Sequence, residues 1–285
     1  MASVNAVLGL IAGSLAVATV SATKTPTAAT PTRIVYAAAA KPNVVRVTGE
    51  DFKFDAPDII PAGLTQFKFL NKGPALHHLA IVKLNSGKTI DDLRAALADP
   101  GPPPSWVKEY GGANASVPGE ESNATLNLAP GNYALICFVD IGGPPHFAKG
   151  MVRPLQVVPS KRAVSSPSAS VTMTLHDYNF KLSAPIRSGT RTIRVRNAGK
   201  QHHEVQLVQL APGKSVKEVL DWLGKPEGPP PGKAMGGVAG LEPGMTEYFT
   251  ANFTPGKYGL LCFLPDVNDG KPHLAHGMVQ EITVK

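Results

Sequence analysis

The feature that most constrains this 285-residue chain is that it is written twice. DFKFDAP (51–57) returns as DYNFKLSAP (177–185), and LNKGPALHHLAIV (70–82) returns as RNAGKQHHEVQLV (196–208). APGNYALICF (129–138) returns as TPGKYGLLCF (254–263), and HFAKGM (146–151) returns as HLAHGM (273–278). Corresponding positions stay 125 to 127 residues apart throughout, so whatever one copy folds into, the other must fold into as well. Each copy is long enough to bury a core of its own.

Within a copy, short segments alternate apolar and polar residues, as in VVRVTGEDFKF, TQFKFL and HLAIVKL. That period of two marks half-buried strands. With 28 Gly and 27 Pro in the chain, the composition favours many short strands joined by turns. TIDDLRAALAD (89–99) and SVKEVLDWLG (215–224) break the pattern. Both open on Ser or Thr with an acid three residues on, a capping-box start for a short helix. In the second, Val216, Val219, Leu220 and Leu223 share one face, with Trp222 partly buried beside it. GPPP (101–104 and 228–231) ends each helical piece. The expected fold is all-β: two tandem Greek-key β-sandwiches, each with a short helical insertion.

The expected organisation is a leader or anchor at 1–22, a Thr/Ala/Pro-rich spacer at 23–42, domains at 43–158 and 171–285, and a Ser/Pro linker at 159–170. Ala6 to Val20 is apolar and runs into Val20-Ser21-Ala22, small residues of the kind a signal peptidase accepts. An early Lys or Arg is missing, so an uncleaved membrane anchor or a misassigned start stays open beside the cleaved leader. The reading is a periplasmic or otherwise extracytoplasmic protein. No later segment is long and apolar enough to cross a membrane. The net charge of +7 is scattered, with no basic cluster interleaved with aromatics, so nucleic acid is not an expected partner. Cys137 and Cys262 are the only cysteines and lie in the apolar runs ALICF and LLCF. They fit separate strands better than one bridge, although a single disulfide is the minor alternative.

The chemistry-bearing residues gather in the repeat. Copy one holds His77 or His78, Cys137, His146 and Met151; copy two holds His202 or His203, Cys262, His273 and Met278, with His276 nearby. Only His176 of the eight histidines lies outside these groups. Taken singly, a buried Cys or Met is a packing residue. Recurrence in both copies argues otherwise, because drift erodes a Cys/His/Met set that has no task. Two imidazoles, a thiolate and a weak thioether suit copper cycling between Cu(I) and Cu(II). Zinc prefers four stronger ligands, and iron–sulfur clusters need more cysteines.

Both copies resemble the cupredoxins, the type 1 or blue copper family. An Asn-x-Gly turn leads to a first His, a Pro-Gly-x-Tyr strand enters the Cys, and a His and a Met follow with four residues between them. Here these are Asn71…His77, Pro130-Gly131-Asn132-Tyr133…Cys137, His146 and Met151, and then Asn197…His203, Pro255-Gly256-Lys257-Tyr258…Cys262, His273 and Met278. Aligning Asn71 with Asn197 sets His77 opposite His203 and keeps Leu79 with Val205 and Ile81 with Leu207. Aligning the HH pairs instead sets Leu79 against Glu204. The resemblance therefore implies metal ligands His77, Cys137, His146 and Met151 in one copy, and His203, Cys262, His273 and Met278 in the other. His78 and His202 become neighbours of the ligands.

The loop from Cys to the second His is long for the family's single-domain carriers, eight residues in copy one and ten in copy two. The eight-residue loop resembles the type 1 loop of copper nitrite reductases. His78 and Glu204 stand where plastocyanin-like members often carry Asn.

What the resemblance implies is a one-electron carrier with up to two type 1 coppers. Electrons would cross at His146 or His273 to a redox partner such as a c-type cytochrome or a membrane oxidase or reductase. An enzyme of the multicopper oxidase or nitrite reductase kind is disfavoured. The chain has no His-x-His, and Ile136, Phe138, Leu261 and Phe263 flank the cysteines. A periplasmic copper carrier or buffer without electron transfer, and a metal-free scaffold for protein binding, are the alternatives.

Overall fold

Val45, Val47 and Gly49 point inward from the first strand while Val44 and Arg46 point out, so the alternation read in the sequence is the alternation of burial. The computed structural model describes residues 41–98, 104–140, 143–162 and 164–285. The expected leader, nearly all of the spacer and most of the first GPPP lie outside the described residues.

The first copy supplies β1 (Asn43–Glu50), β2 (Lys53–Asp55), β3 (Ile59–Pro61), β4 (Gly63–Asn71) and β5 (His77–Leu84). Helix α1 (Ile90–Ala98) follows, then β6 (Val107–Ser116), β7 (Glu121–Leu128), β8 (Gly131–Ile136) and β9 (Val152–Val158). The second copy gives β10 (Val171–His176), β11 (Asn179–Leu182), β12 (Gly189–Asn197) and β13 (His203–Leu210). It continues with α2 (Val216–Gly224), β14 (Gly232–Leu241), β15 (Thr246–Phe253), β16 (Gly256–Leu261) and β17 (Val279–Val284). A single turn of 3-10 helix, His146–Lys149 or His273–His276, precedes the last strand of each copy. The chain is all-β apart from these short helices, as expected, and no helix among the described residues is long and apolar enough to cross a membrane.

The strands form two sheets. One runs β11-β10-β12-β15-β7-β4-β1-β2, the other β17-β16-β13-β14-β6-β5-β8-β9-β3. In each half an apolar core fills the space between them. Phe67, Phe69 and Leu126 of the first sheet meet Leu79, Ile81 and Leu135 of the second, and Ile193, Val195 and Phe249 meet Val205, Leu207 and Leu260. Burying one such side chain is worth roughly 1.5–3 kcal/mol, so either core is ample to hold its sheets together.

Both sheets pass without a break from one half to the other. β14 pairs antiparallel with β6, Val238 opposite Ala113 and Leu241 opposite Tyr110, and β15 pairs with β7 at Tyr248 and Thr125. Asn123 extends the second seam with its side chain, donating to Thr250 O at 2.7 Å and accepting from Thr250 N at 2.9 Å. Pairing removes strand edges that would otherwise stay open.

It also alters β5 and β13. Their alternation predicts strands with one wet face, yet His77 to Val82 and His203 to Val208 are all buried. The outer face of β5 is covered by Leu93 of α1 and by Ala239 of β14. The helices begin as expected. Ser215 caps α2 in a capping box with Glu218, and Thr89 and Asp92 exchange the equivalent bonds at α1. Val219 is buried with Leu220 and Leu223 against it, and Trp222 is half-buried.

Candidate metal centres

The first histidine of each centre is delivered by a turn that a buried asparagine holds shut. Asn71 donates to Ala75 O and Ser116 O at 2.8 and 2.7 Å and accepts from Gly73 N at 3.0 Å. Asn197 repeats this with Gln201 O, Leu241 O and Gly199 N. The glycine of Asn-x-Gly is there for space. A Cβ on Gly73 would lie 2.4 Å from His77 Nε2, and one on Gly199 would lie 2.5 Å from both His203 Nε2 and Asp177 Oδ1. The cysteine directly follows β8 or β16, which pairs antiparallel with β5 or β13. The 3-10 turn then returns the second histidine and the methionine to it. Phe147 N donates to Cys137 O, Met151 N to His146 O, and Cys137 N to Met151 O at 3.1 Å; Leu274, Met278 and Cys262 do the same.

Three candidate ligand atoms converge in each half. In the first, His77 Nδ1 and His146 Nδ1 are 2.9 Å apart, and Cys137 Sγ lies 3.6 Å from His146 Nδ1 and 4.0 Å from His77 Nδ1. In the second, His203 Nδ1 and His273 Nδ1 are 3.1 Å apart, and Cys262 Sγ is 3.4 Å from His273 Nδ1. A trigonal ion with bonds of about 2.0 Å to nitrogen and 2.3 Å to sulfur holds its ligand atoms roughly 3–4 Å apart. Met151 and Met278 are fully buried in the same cores as the cysteines, and Gly49 leaves room for the Met151 methyl, which a Cβ there would approach to 3.2 Å.

Hydrogen bonding shows what the triangle needs. Asp177 accepts from His203 Nε2 at 2.9 Å, which puts the ring proton on Nε2 and leaves Nδ1 bare. Gln201 Nε2 donates to Asp266 Oδ2 at 2.8 Å and its Oε1 accepts from Val267 N at 2.9 Å. That orientation turns an acceptor toward His273 Nε2 at 3.3 Å, so this Nδ1 is bare too. Two lone pairs 3.1 Å apart in a buried pocket repel unless a cation sits between them. A proton does not serve at neutral pH, because burial, aided by His203, pushes His273 down to about 4, and burial lowers His203 against the pull of Asp177. In the first centre Asp51 bonds His77 Nε2 at 2.6 Å and likewise bares Nδ1, and burial, with His77, lowers His146. Burial pushes the Cys137 thiol up to about 11 and raises Cys262 further, so a metal ion binds by displacing a proton from sulfur. The donor set fits copper.

The structure therefore brings together His77, Cys137 and His146, and separately His203, Cys262 and His273. His78 does not point to the centre: it is buried on the other face of β5, where Phe138 N donates to its Nε2 at 2.8 Å. His202 faces Glu109 of the first half at 3.4 Å. His276 is exposed and meets Asp269 at 3.1 Å. Several residues at the sites went unassigned by the sequence reading. Asp51 and Asp177, which orient the first histidines, open the DFKF and DYNF repeats, and their joint recurrence was the available signal. Gln201, Tyr178 and Asp266 around His273 have no such recurrence.

A buried His–Cys–His triangle with a methionine in the same core, at one end of a two-sheet sandwich, is a cupredoxin-like arrangement, and the chain carries two. No protein-family profile matches the chain, and no curated protein matches it. Among solved structures, a dithionite-reduced auracyanin from Roseiflexus castenholzii is 21% identical over 42% of this chain and 99% of its own, with a TM-score of 0.31. A blue copper oxidase from Nitrosomonas europaea is 13% identical over 86% of each chain, at 0.24. A copper-containing nitrite reductase from Thermus scotoductus is 12% identical over 85% of this chain and 61% of its own, at 0.23. These overall likenesses are slight, and the chemistry rests on the residues of this chain.

Proposed function

We propose that the protein is an exported one-electron carrier that holds one type 1 copper in each half, 43–158 and 171–285. The supporting observation is the buried convergence of His77 Nδ1, Cys137 Sγ and His146 Nδ1, built again at His203, Cys262 and His273. Met151 and Met278 would complete the sets as weak thioether donors. Copper, when bound, supplies the Cu(I)/Cu(II) couple. The protein's part is to keep the ligands still: Asp51 and Asp177 hold the first imidazoles, the Asn71 and Asn197 clips hold the turns, and the sandwich excludes water. His146 retains slight solvent exposure (5%) whereas His273 has none, which favours His146 as the point of contact with a redox partner such as a c-type cytochrome or a membrane oxidase or reductase. Catalysis of oxygen or nitrite reduction is disfavoured by the apolar residues beside both cysteines. Export rests on the apolar run Ala6–Val20 and the Val20-Ser21-Ala22 that ends it.

Reconstitution with Cu(II) is the test. Two coppers per chain and an intense visible thiolate-to-copper band are expected, with one copper lost in Cys137→Ser and the other in Cys262→Ser. Retention of no copper overturns the reading. The complete burial of His273 favours a second reading for that centre, a copper store. Its copper would then exchange no electrons with a partner while the first centre cycles.

A further inference from the structure

Each first histidine is followed on the opposite face of its strand by a buried polar residue, His78 after His77 and Glu204 after His203. These two do the same work. Phe138 N donates to His78 Nε2 at 2.8 Å, and Phe263 N donates to Glu204 Oε1 at 2.9 Å. Phe138 and Phe263 are the residues immediately after the two cysteines, so each bond ties a cysteine loop to the strand carrying the first histidine. Glu204 N also donates to Cys262 Sγ at 3.4 Å.

Between His78 and Glu204 stands one side chain. Asn114, on β6 and 3% exposed, donates from Nδ2 to Glu204 Oε2 at 3.1 Å, Val205 O at 3.3 Å and Val238 O at 3.2 Å. Its Oδ1 accepts from Ala115 N at 2.8 Å, and the same amide lies against the His78 ring. The repeat does not supply a second copy. Ala239 takes the equivalent place in β14 and packs among Ala80, Ala134 and Ile136. A chain duplicated almost everywhere thus has one polar side chain, unmatched in the repeat, between its two cysteine loops, and the link it makes runs from the amide after Cys137 to the amide after Cys262.

The three side chains of the link, His78, Asn114 and Glu204, are buried, so little water reaches them to take up slack when one shifts, and hydrogen bonds in such surroundings polarise one another. Filling a centre fixes its thiolate and the amide beside it. We infer that Asn114 is a positioning residue that couples the two centres through His78 and Glu204, so that filling one changes the metal affinity of the other. The inference rests on the copper reading above. By linkage the effect is the same in both directions.

The experiment is anaerobic titration of the metal-free full chain with Cu(I) against a competing chromogenic chelator. Affinities for each centre alone come from Cys262→Ser and Cys137→Ser. The product of the two stepwise constants of the unaltered chain is then compared with the product of the single-centre constants. The expected result is a ratio differing from one by about fivefold or more, falling to one in Asn114→Ala. Glu204→Gln serves if Asn114→Ala fails to fold: it keeps an acceptor for Phe263 N but turns an amide donor toward Asn114. Asn123→Ala breaks a different bond across the seam and should leave the ratio unchanged, which a merely structural role for Asn114 does not predict. A ratio of one in the unaltered chain, or one that survives both Asn114→Ala and Glu204→Gln, overturns the coupling while leaving the copper reading intact. Failure of the unaltered chain to bind copper overturns both.

Discussion

In the first half, the His146 ring packs edge-on against Phe52 with centroids 5.0 Å apart, and no described residue bonds its Nε2. In the second half, Tyr178 stands in the place of Phe52 and Gln201 in that of Ala75. There His273 is capped by Gln201, and Gln201 is held by Asp266, which also accepts from the Tyr178 hydroxyl. Asp266 is itself 3.9 Å from His273 Nε2. The ligand triangles are nearly the same, while their covers are apolar in one half and polar and anionic in the other. Ligands are kept by the metal; covers are free to diverge, and covers set who reaches the centre and which oxidation state is favoured. The hydrogen bonds from Tyr178, Gln201 and Asn268 N hold Asp266 far below the usual carboxylate range, so it is an anion beside the second centre at any ordinary pH.

The largest effect tests what the halves share. Gly112 and Gly237 have φ of +126° and +120°, and a Cβ on either would lie 2.0 Å from Leu79 O or Val205 O. Gly112→Ala and Gly237→Ala should each destabilise the fold by about 3 kcal/mol, measured by denaturant unfolding; one mild and one severe outcome would break the equivalence. Next, Asp51→Ala and Asp177→Ala should each weaken copper binding at their own centre by about 10- to 100-fold and leave the other nearly untouched. Chelator competition in single-centre variants measures this.

A smaller effect separates the halves. An anion near His273 favours Cu(II), so the second centre should have the lower midpoint potential, and Asp266→Asn should raise it by roughly 60 mV, the one-electron equivalent of a tenfold change. Spectroelectrochemistry on Cys137→Ser resolves it, and an unmoved potential would show that the cover tunes access alone. The smallest concerns the seam. Glu247 is fully buried and accepts from Gly112 N at 3.1 and 3.2 Å, and burial raises its pKa well above the ordinary value despite that bond. The folded state therefore keeps a proton that the unfolded state releases near pH 4.5, so this group's contribution to stability falls as pH rises from there toward the folded pKa. Glu247→Gln should remove that slope and gain on the order of 1 kcal/mol at neutral pH, read from unfolding midpoints across pH. Ser122, its counterpart in the first half, does not titrate, so Ser122→Ala should leave the slope in place.

Much of this was legible beforehand because it is local or repeated. Alternation located most strands, Ser215 and Glu218 announced α2, and the Asn-x-Gly and Pro-Gly-x-Tyr segments marked the strands that carry His77 and Cys137. The covers were not legible, since Tyr178, Gln201 and Asp266 are 23 to 88 residues apart and occur in one half only. Nor was the role of Asn114, whose partners on β13 lie 90 and 91 residues away.

What the sequence by itself determined is a duplicated all-β chain with Cys, His and Met spaced alike in each copy, because strand periodicity and ligand spacing are properties of short segments. Only the tertiary structure decided that the halves share two continuous sheets, that β5 and β13 are buried on both faces, and that one asparagine stands between the two cysteine loops. Those outcomes depend on which strand edges meet, and edge pairing depends on shape and hydrogen-bond register between segments that no local pattern relates.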